Sequence, residues 1–343
     1  MHTIADMKIS RTGFGAWAIG GGGWRFSWGA TDDAESVAAI RRAVALGVNW
    51  IDTAAVYGLG HSEVVVGRAL ASLPPAERPY VFTKAGLVWN EAQPLAAPYR
   101  IMRPESVRRE VDASLRRLGV EHIDLYQVHW PDTGEALDWG ATGDDGAVSP
   151  VATPLEEYWQ VMADLKRAGK VRAIGLSNHS LAQLARAESI AHVDAVQPPF
   201  SALDRGAAPE VAWARRNGTA VIAYSPMRSG LLSGAFSAER VAALPPDDWR
   251  RAHPDFTERL AENLAVADVL RAIAERRGVP VPAVAVAWTL AWPGISGAIV
   301  GARTPEQVGD WATAGGIRLE REELDAVAGV LGRTGAGTGP FRP

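Results

Sequence analysis

The chain has 343 residues, enough for one large domain or two ordinary ones, and its 47% hydrophobic and 22% charged content is that of a soluble globular protein. A net charge of −4 without any basic run argues against nucleic-acid binding, and zero cysteines exclude disulfides and thiolate metal sites. No run of about 18 apolar residues offers a membrane span, and the start, Met1-His-Thr-Ile-Ala-Asp6, has no apolar signal core, so the cytoplasm is the expected location.

Strand-like and helical patterns alternate along the chain. Strand 13–18 precedes helix 32–46, capped by Thr31 or Asp32. Strand 48–52 precedes helix 62–70. Strand 80–84 leads to helix 104–118, with Pro104 in its first turn and Gly119 ending it. Strand 123–128 leads to helix 154–168, strand 171–176 to helix 181–189, and strand 193–196 to helix 209–216. Strand 219–223 is followed by helices at 255–276 and 281–291, and strand 297–300 by helix 305–311. The tail from about 332 to 343 is rich in Gly and Pro and reads as irregular. Eight strands, each followed by a helix and without a linker, predict a single (β/α)8 TIM barrel over 1–343. Its chemistry should then stand where strands end and βα loops begin.

Polar groups do stand there. Asp52 ends the second strand, and Tyr57 follows five residues later in a small-residue loop. Lys84 ends the third strand and His129 the fourth. Ser177 and Asn178 follow the fifth, Gln197 ends the sixth, Tyr224 and Ser225 end the seventh, and Gly301 to Arg303 end the eighth. Singly these are ordinary turn, cap or snorkelling residues. Together they suit proton donation to a developing alkoxide. Tyrosine has an unperturbed pKa of about 10, and a cationic lysine beside it is expected to lower that value. An aspartate would hold the lysine charged, and a histidine would hydrogen-bond a carbonyl oxygen. A hydride donor is still needed, and side chains cannot supply it, which points to a nicotinamide cofactor. The run Gly20–Gly23 precedes Trp24-Arg-Phe-Ser-Trp28 rather than a helix, so it is not a Rossmann fingerprint. Better anion sites are the small-residue loop 225–234 and Gly301-Ala-Arg303, which opens a helix. Two other barrel chemistries fare worse. A glycosidase needs two carboxylates about 5–9.5 Å apart, and Asp124 opens its strand rather than ending it. His61, His129 and His179 lack metal-ligand spacing, so no metal site is expected.

These residues sit in motifs that resemble the aldo-keto reductase family: W-I-D-T-A-A-V-Y-G-L-G-H-S-E, F-T-K, D-L-Y-Q-V-H-W-P, A-I-G-L-S-N, V-Q-P-P-F, Y-S-P-M, G-L-L-S-G and V-G-A-R-T-P-E-Q. The resemblance runs from about residue 10 to about 318 and leans toward the bacterial general stress and inositol-cluster branch. It implies reversible, NADPH-dependent carbonyl reduction. Asp52, Tyr57, Lys84 and His129 would form the catalytic tetrad, with Tyr57 as general acid. Ser177, Asn178 and Gln197 would hold the nicotinamide carboxamide, and Tyr224 would stack on the ring. Ser225, Pro226, Met227, Gly230 and Leu231 would line the pyrophosphate. Gly301, Arg303 and Gln307 would take the adenosine end, and Trp17 and Asp52 complete the cofactor set. The resemblance also admits a second reading, a nucleotide-binding redox sensor or auxiliary subunit with slow turnover.

The chain departs from the family pattern in places. Arg228 lies one position earlier than the usual arginine before G-L-L, Ala235 replaces a lysine, and Trp311 stands where an asparagine is common, so NADH remains an alternative to NADPH. The stretch of about 131–153 after the fourth strand is longer than the usual loops of about 2–6 residues, contains Trp139, and reads as a surface insertion or a substrate lid. Trp24, Phe26, Trp28, Trp89 and Trp130 join Tyr57 and His129 as expected walls of the substrate pocket. The expected partner is a small aldehyde, ketone, sugar-like carbonyl or alcohol, with no nucleic acid and no membrane.

Overall fold

A computed structural model describes residues 2–135, 151–245 and 248–342. Eight parallel strands close into a barrel: Thr12–Gly15, Trp50–Asp52, Tyr80–Ala85, Ile123–Val128, Val171–Ser177, Ala195–Gln197, Ala220–Ala223 and Gly297–Gly301. Each pairs with its sequence neighbours, and the last pairs with the first, Gly301 opposite Gly15. Helices lie between the strands, as the alternation predicts.

Side-chain alternation divides each strand between two cores. Trp50, Phe82, Leu125, Ala173, Ala195, Ile222 and Ile299 fill the barrel interior. Ile51, Val81, Ala85, Tyr126 and Val128 point outward into the larger core shared with the helices. The hairpin of His2–Ile4 and Met7–Ile9 adds Ile4, Met7 and Ile9 to the interior cluster and closes the end of the barrel from which the strands start. Trp50 is its plug, with its indole N–H on Ser10 O at 2.9 Å and its ring stacked on Phe82 at 5.2 Å.

Helix ends follow local chemistry. Asp32 caps Asp33–Ala45 by accepting from Ala34 and Glu35 N–H. Pro104 opens Pro104–Leu118, and Gly119 closes it at φ 66°. Ser180 and Gln183 form a capping box on Leu181–Glu188.

Several boundaries differ from expectation. The first strand stops at Gly15, because residues 17–19 turn into a 3-10 helix. The helix expected from 255 starts at Leu260, after a 3-10 turn at Pro254–Phe256. The helix expected to reach Trp311 ends at Gly309. Two small hairpins escaped the pattern reading, as did the helix Arg321–Thr334. Beyond it, Gly337 and Gly339 lie against Leu203 and Arg205, and the buried Arg205 bonds the carbonyls of Ala336, Gly339 and Pro340. Among the described residues no helix is long and apolar enough to cross a membrane.

The plug makes a stability prediction. A Cβ on Gly13 would sit 2.3 Å from the Trp50 ring. Gly13→Ala should therefore cost about 1–3 kcal/mol, the usual range for overpacking, and lower the melting temperature. Gly316→Ala, where a Cβ meets nothing within 4 Å, should leave it unchanged. Equal melting of the two variants would show that the barrel floor yields.

Candidate active site

Three consecutive strands deliver the central charges. Asp52 ends the second, Lys84 is next to last on the third, and His129 follows the fourth. Asp52 and Lys84 share the inward face of Trp50 and Phe82, and His129 continues the inward series of Leu125 and Gln127. Tyr57 comes from the turn Tyr57–Gly60, where Gly58, Leu59 and Gly60 take φ of 61°, 54° and 100°. Only glycine fits at position 58, since a Cβ would lie 1.9 Å from Gly20 O.

Lys84 is the hub. Its Nζ donates to Asp52 Oδ1, to Thr53 O at 3.0 Å and to Tyr57 Oη at 3.3 Å. The second Asp52 oxygen accepts from Gln127 Nε2 at 3.1 Å and Gln197 Nε2 at 2.8 Å. Gln197 Nε2 also reaches Gln127 Oε1 at 2.9 Å. Lys84, Asp52, Gln127 and Gln197 are all buried. The His129 imidazole meets the Tyr57 ring edge-on, with centroids 5.7 Å apart. Gln127 was absent from the sequence reading, yet it stands two residues before His129 on the same strand face, so alternation alone marks it.

Burial changes the proton inventory. Desolvation pushes the Tyr57 phenol above its ordinary pKa, and the opposing pull of Lys84 does not overcome it. Lys84 does pull the phenol down as expected, but desolvation outweighs it, since sequence reveals the cation but not the depth of burial. Desolvation also works against the Lys84 ammonium, but Asp52 and Tyr57 outweigh it and the net shift is upward. Burial, then Lys84, holds His129 well below its usual range. At neutral pH the site therefore holds an ammonium, a phenol and a neutral imidazole.

Residues expected to hold a nicotinamide form a polar row across the next three strand ends. Ser177 Oγ donates to Gln197 O at 2.9 Å, Asn178 Nδ2 to His129 O at 3.0 Å, and Tyr224 Oη to Asn178 Oδ1 at 2.9 Å. Asn178 sits at φ 61°. In the loop 225–234, Ser225, Arg228, Ser229 and Gly230 all have positive φ. The N–H groups of Met227, Ser229 and Gly230 bond no other described residue, and Leu231 and Leu232 are buried beneath them. A half-buried loop with spare N–H donors fits a pyrophosphate. Arg228 is committed elsewhere, to Asp255 Oδ2 at 2.5 Å and Asp204 Oδ2 at 2.9 Å.

At the eighth strand end, Arg303 N donates to Gln307 Oε1 at 2.8 Å. The Arg303 guanidinium bonds two carbonyls of the first βα loop, Trp28 O at 3.0 Å and Ala30 O. Arg250 lies 5.8 Å from the Trp28 ring centroid and 5.3 Å from that of Phe236, so the first and late loops meet through arginine. Trp311 is buried against Phe14 and offers nothing at the rim.

The aromatic residues converge on Tyr57. Trp17, assigned to the cofactor from sequence, stacks on the Tyr57 ring at 5.7 Å and 15°. Trp28 lies 6.1 Å from Trp17, Trp24 lies 6.4 Å from Tyr57, and Phe26 packs on Trp24. Trp89 and Trp130 approach from the other side around Ala54, Val56 and Leu87. Trp139 and most of the long stretch after the fourth strand, 136–150, lie outside the described residues. Among the described residues no group of three or more His, Asp or Glu could hold a metal ion.

Residues 13–331 match the Aldo/keto reductase family. Aldo-keto reductase YhdN of Bacillus subtilis is 35% identical over 337 residues, covering 97% of this chain and 93% of the relative. The NADH-specific methylglyoxal reductase of Escherichia coli is 36% identical over 326 residues, 92% of each chain. The glycerol dehydrogenase AKR11B4 from Gluconobacter oxydans superposes with a TM-score of 0.82 at 37% identity, over 97% of this chain and 95% of that one.

Beside the site, His179 makes stability depend on pH. Its ring bonds Ser177 O at 2.7 Å and Tyr158 Oη at 3.0 Å, and burial lowers its pKa to about 4. Above pH 6.5 folded and unfolded states are both neutral. Below it the unfolded histidine takes up a proton that the folded one refuses, so stability falls with pH until about pH 4. Between pH 7 and pH 5 His179 should account for a fall of about 2 kcal/mol in urea unfolding free energy. His179→Asn should remove most of that fall; an undiminished fall would assign it to other groups.

Proposed function

The chain belongs to the aldo/keto reductase family of oxidoreductases acting on carbonyl substrates, and on that premise we propose that it is an NADPH-dependent carbonyl reductase, working reversibly, with Tyr57 as general acid and base. The observation that carries this reading is the Lys84 ammonium, buried and shared between Asp52 and the Tyr57 hydroxyl.

Bound nicotinamide supplies the hydride. Tyr57 gives its phenolic proton to the carbonyl oxygen as negative charge develops there. Because burial holds the phenol protonated at rest, the transfer is coupled to that charge rather than preceding it. Lys84 stabilises the phenolate left behind, and Asp52 keeps Lys84 ionised and fixed. Gln127 and Gln197 occupy the second Asp52 oxygen, so it cannot swing away from the lysine. Neutral His129 donates one N–H to the substrate oxygen, which orients the carbonyl toward Tyr57. Ser177, Asn178, Gln197 and Tyr224 would hold the nicotinamide end of the cofactor. The spare N–H groups of Met227, Ser229 and Gly230 would take its pyrophosphate. Arg303 carries the charge for a 2′-phosphate while its guanidinium ties the first loop; NADH is the alternative donor. The aromatic walls of Trp17, Trp24, Trp28, Trp89 and Trp130 suit small polar carbonyls and the faces of sugar-like substrates.

Tyr57→Phe should keep NADPH binding, read as a change in nucleotide fluorescence, and lose about 10²–10⁴-fold in carbonyl reduction. Methylglyoxal, glyceraldehyde and dihydroxyacetone make a suitable panel. Turnover within threefold of the parent would overturn the acid assignment, and tight NADPH binding without turnover by the parent would favour a sensor. Arg303→Ala should weaken NADPH by about tenfold or more, the worth of a charged hydrogen bond, and NADH by less. Equal losses would confine Arg303 to securing the first loop.

A further inference from the structure

We propose that Glu63 and Ser62, which touch neither substrate nor nucleotide, are positioning residues that set the distance between Tyr57 and Lys84. The proposal rests on the reading of that pair given above.

The helix His61–Ala71 begins where the Tyr57 turn ends, so its first turn holds the tyrosine in place. That first turn carries two buried polar side chains, Ser62 and Glu63, in a helix whose other buried positions are Val65, Val66, Ala69 and Leu70. Strand alternation explains what they meet. Asp52 and Lys84 point into the barrel, so Thr53 and Thr83, their chain neighbours, point outward to the helix. Thr83 Oγ1 donates to Glu63 Oε1 at 2.6 Å. Ser62 Oγ lies 2.9 Å from Thr53 Oγ1 and donates to Ala16 O at 2.8 Å. One helical turn therefore grips the ends of the first three strands, at the residue after Asp52 and the residue before Lys84. Thr53 O itself accepts from Lys84 Nζ at 3.0 Å, which joins this outer layer to the inner site.

The Glu63 carboxylate is completed by Arg117 Nε at 2.6 Å, from the helix Pro104–Leu118. Arg117 also packs beneath the turn that carries Tyr57, where a Cβ on Gly60 would come within 2.9 Å of Arg117 Cδ. A buried ion pair is a costly means of holding a helix that its apolar face already holds. What this pair adds is fixed geometry between a turn and a strand that the reaction needs in register. A 3.3 Å contact between Lys84 Nζ and Tyr57 Oη leaves little slack, and a small displacement of reacting groups lowers rates severely.

The test uses the full chain, NADPH and methylglyoxal. Thr83→Val keeps the shape and removes the hydrogen bond to Glu63; Thr83→Ser restores it. Thr83→Val should fold, bind NADPH within about twofold, and lose about tenfold in kcat with a smaller change in KM. Its kcat–pH profile should shift on the limb set by the Tyr57 phenol. Thr83→Ser should return both rate and profile toward the parent. A Thr83→Val enzyme with parental kcat and pH profile overturns the proposal, as does a loss that Thr83→Ser fails to recover. If Thr83→Val does not fold, Ser62→Ala carries the same readouts, and a parental kcat and profile there overturns the brace. Failure of the brace is distinct from failure of the site: Tyr57→Phe with full turnover sinks the acid assignment, whereas Tyr57→Phe without turnover beside an unaffected Thr83→Val sinks only the brace.

Discussion

An ammonium group buried in the mouth of a barrel has three hydrogens and needs three acceptors. For Lys84 these are Asp52 Oδ1, Thr53 O and Tyr57 Oη. Much of the rim is organised by that requirement. Asp52 must stand on the adjacent strand, and it does, opposite Phe82 and two residues short of Lys84. The Asp52 carboxylate must in turn be satisfied away from water, and two glutamines from the fourth and sixth strands do this. The third acceptor comes from outside the barrel, which is why the Tyr57 turn folds back through three consecutive left-handed residues. The tyrosine is thus at once the reactive group of the proposed chemistry and a structural partner of the lysine.

The sequence is most informative where a local rule decides the outcome. The barrel was legible because strands and helices alternate with recognisable caps: Asp32, Pro104, Gly119 and Ser180 all act as their residue types suggest. The convergence of Asp52, Tyr57, Lys84 and His129 was legible because strand ends are where a barrel brings polar groups together. Gln127 was equally legible by alternation from His129 and was passed over because a glutamine inside a strand suggests no reaction. The helix Arg321–Thr334 also had its signal, Glu320 and Glu323 forming a capping box before Leu324, Val327 and Leu331. The two hairpins had less, since strands of two or three residues show no usable period.

Other features could not be read from sequence, because they depend on depth and on long-range contact. That Lys84 stands near Tyr57 follows from spacing; that desolvation outweighs it does not. Arg303 reads as a phosphate ligand in the sequence. In space its guanidinium is already engaged with loop carbonyls some 275 positions away, and Arg228 is likewise held by two aspartates. Trp17 opens the first loop, and its ring stacks on that of Tyr57, so the two form a single aromatic surface. The first loop is consequently tied at both ends, to Tyr57 by Trp17 and to the eighth strand by Arg303.

The charge balance of the site bears on how the reaction proceeds in both directions. At rest Lys84 is positive and paired with Asp52, and Tyr57 and His129 are neutral. Burial favours this state by raising the phenol and lowering the imidazole. In the proposed reaction, proton donation by Tyr57 would leave a phenolate, a new negative charge in surroundings that stabilise charge poorly. Lys84 would reduce that cost without removing it, because its charge is already shared with Asp52. Such a phenolate would readily recover a proton, from solvent after reduction or from an alcohol substrate in reverse. A site with a strongly lowered phenol pKa would hold the phenolate too well to act as an acid. On the proposed reading, the balance between desolvation and one shared cation would let Tyr57 serve as donor in one direction and acceptor in the other.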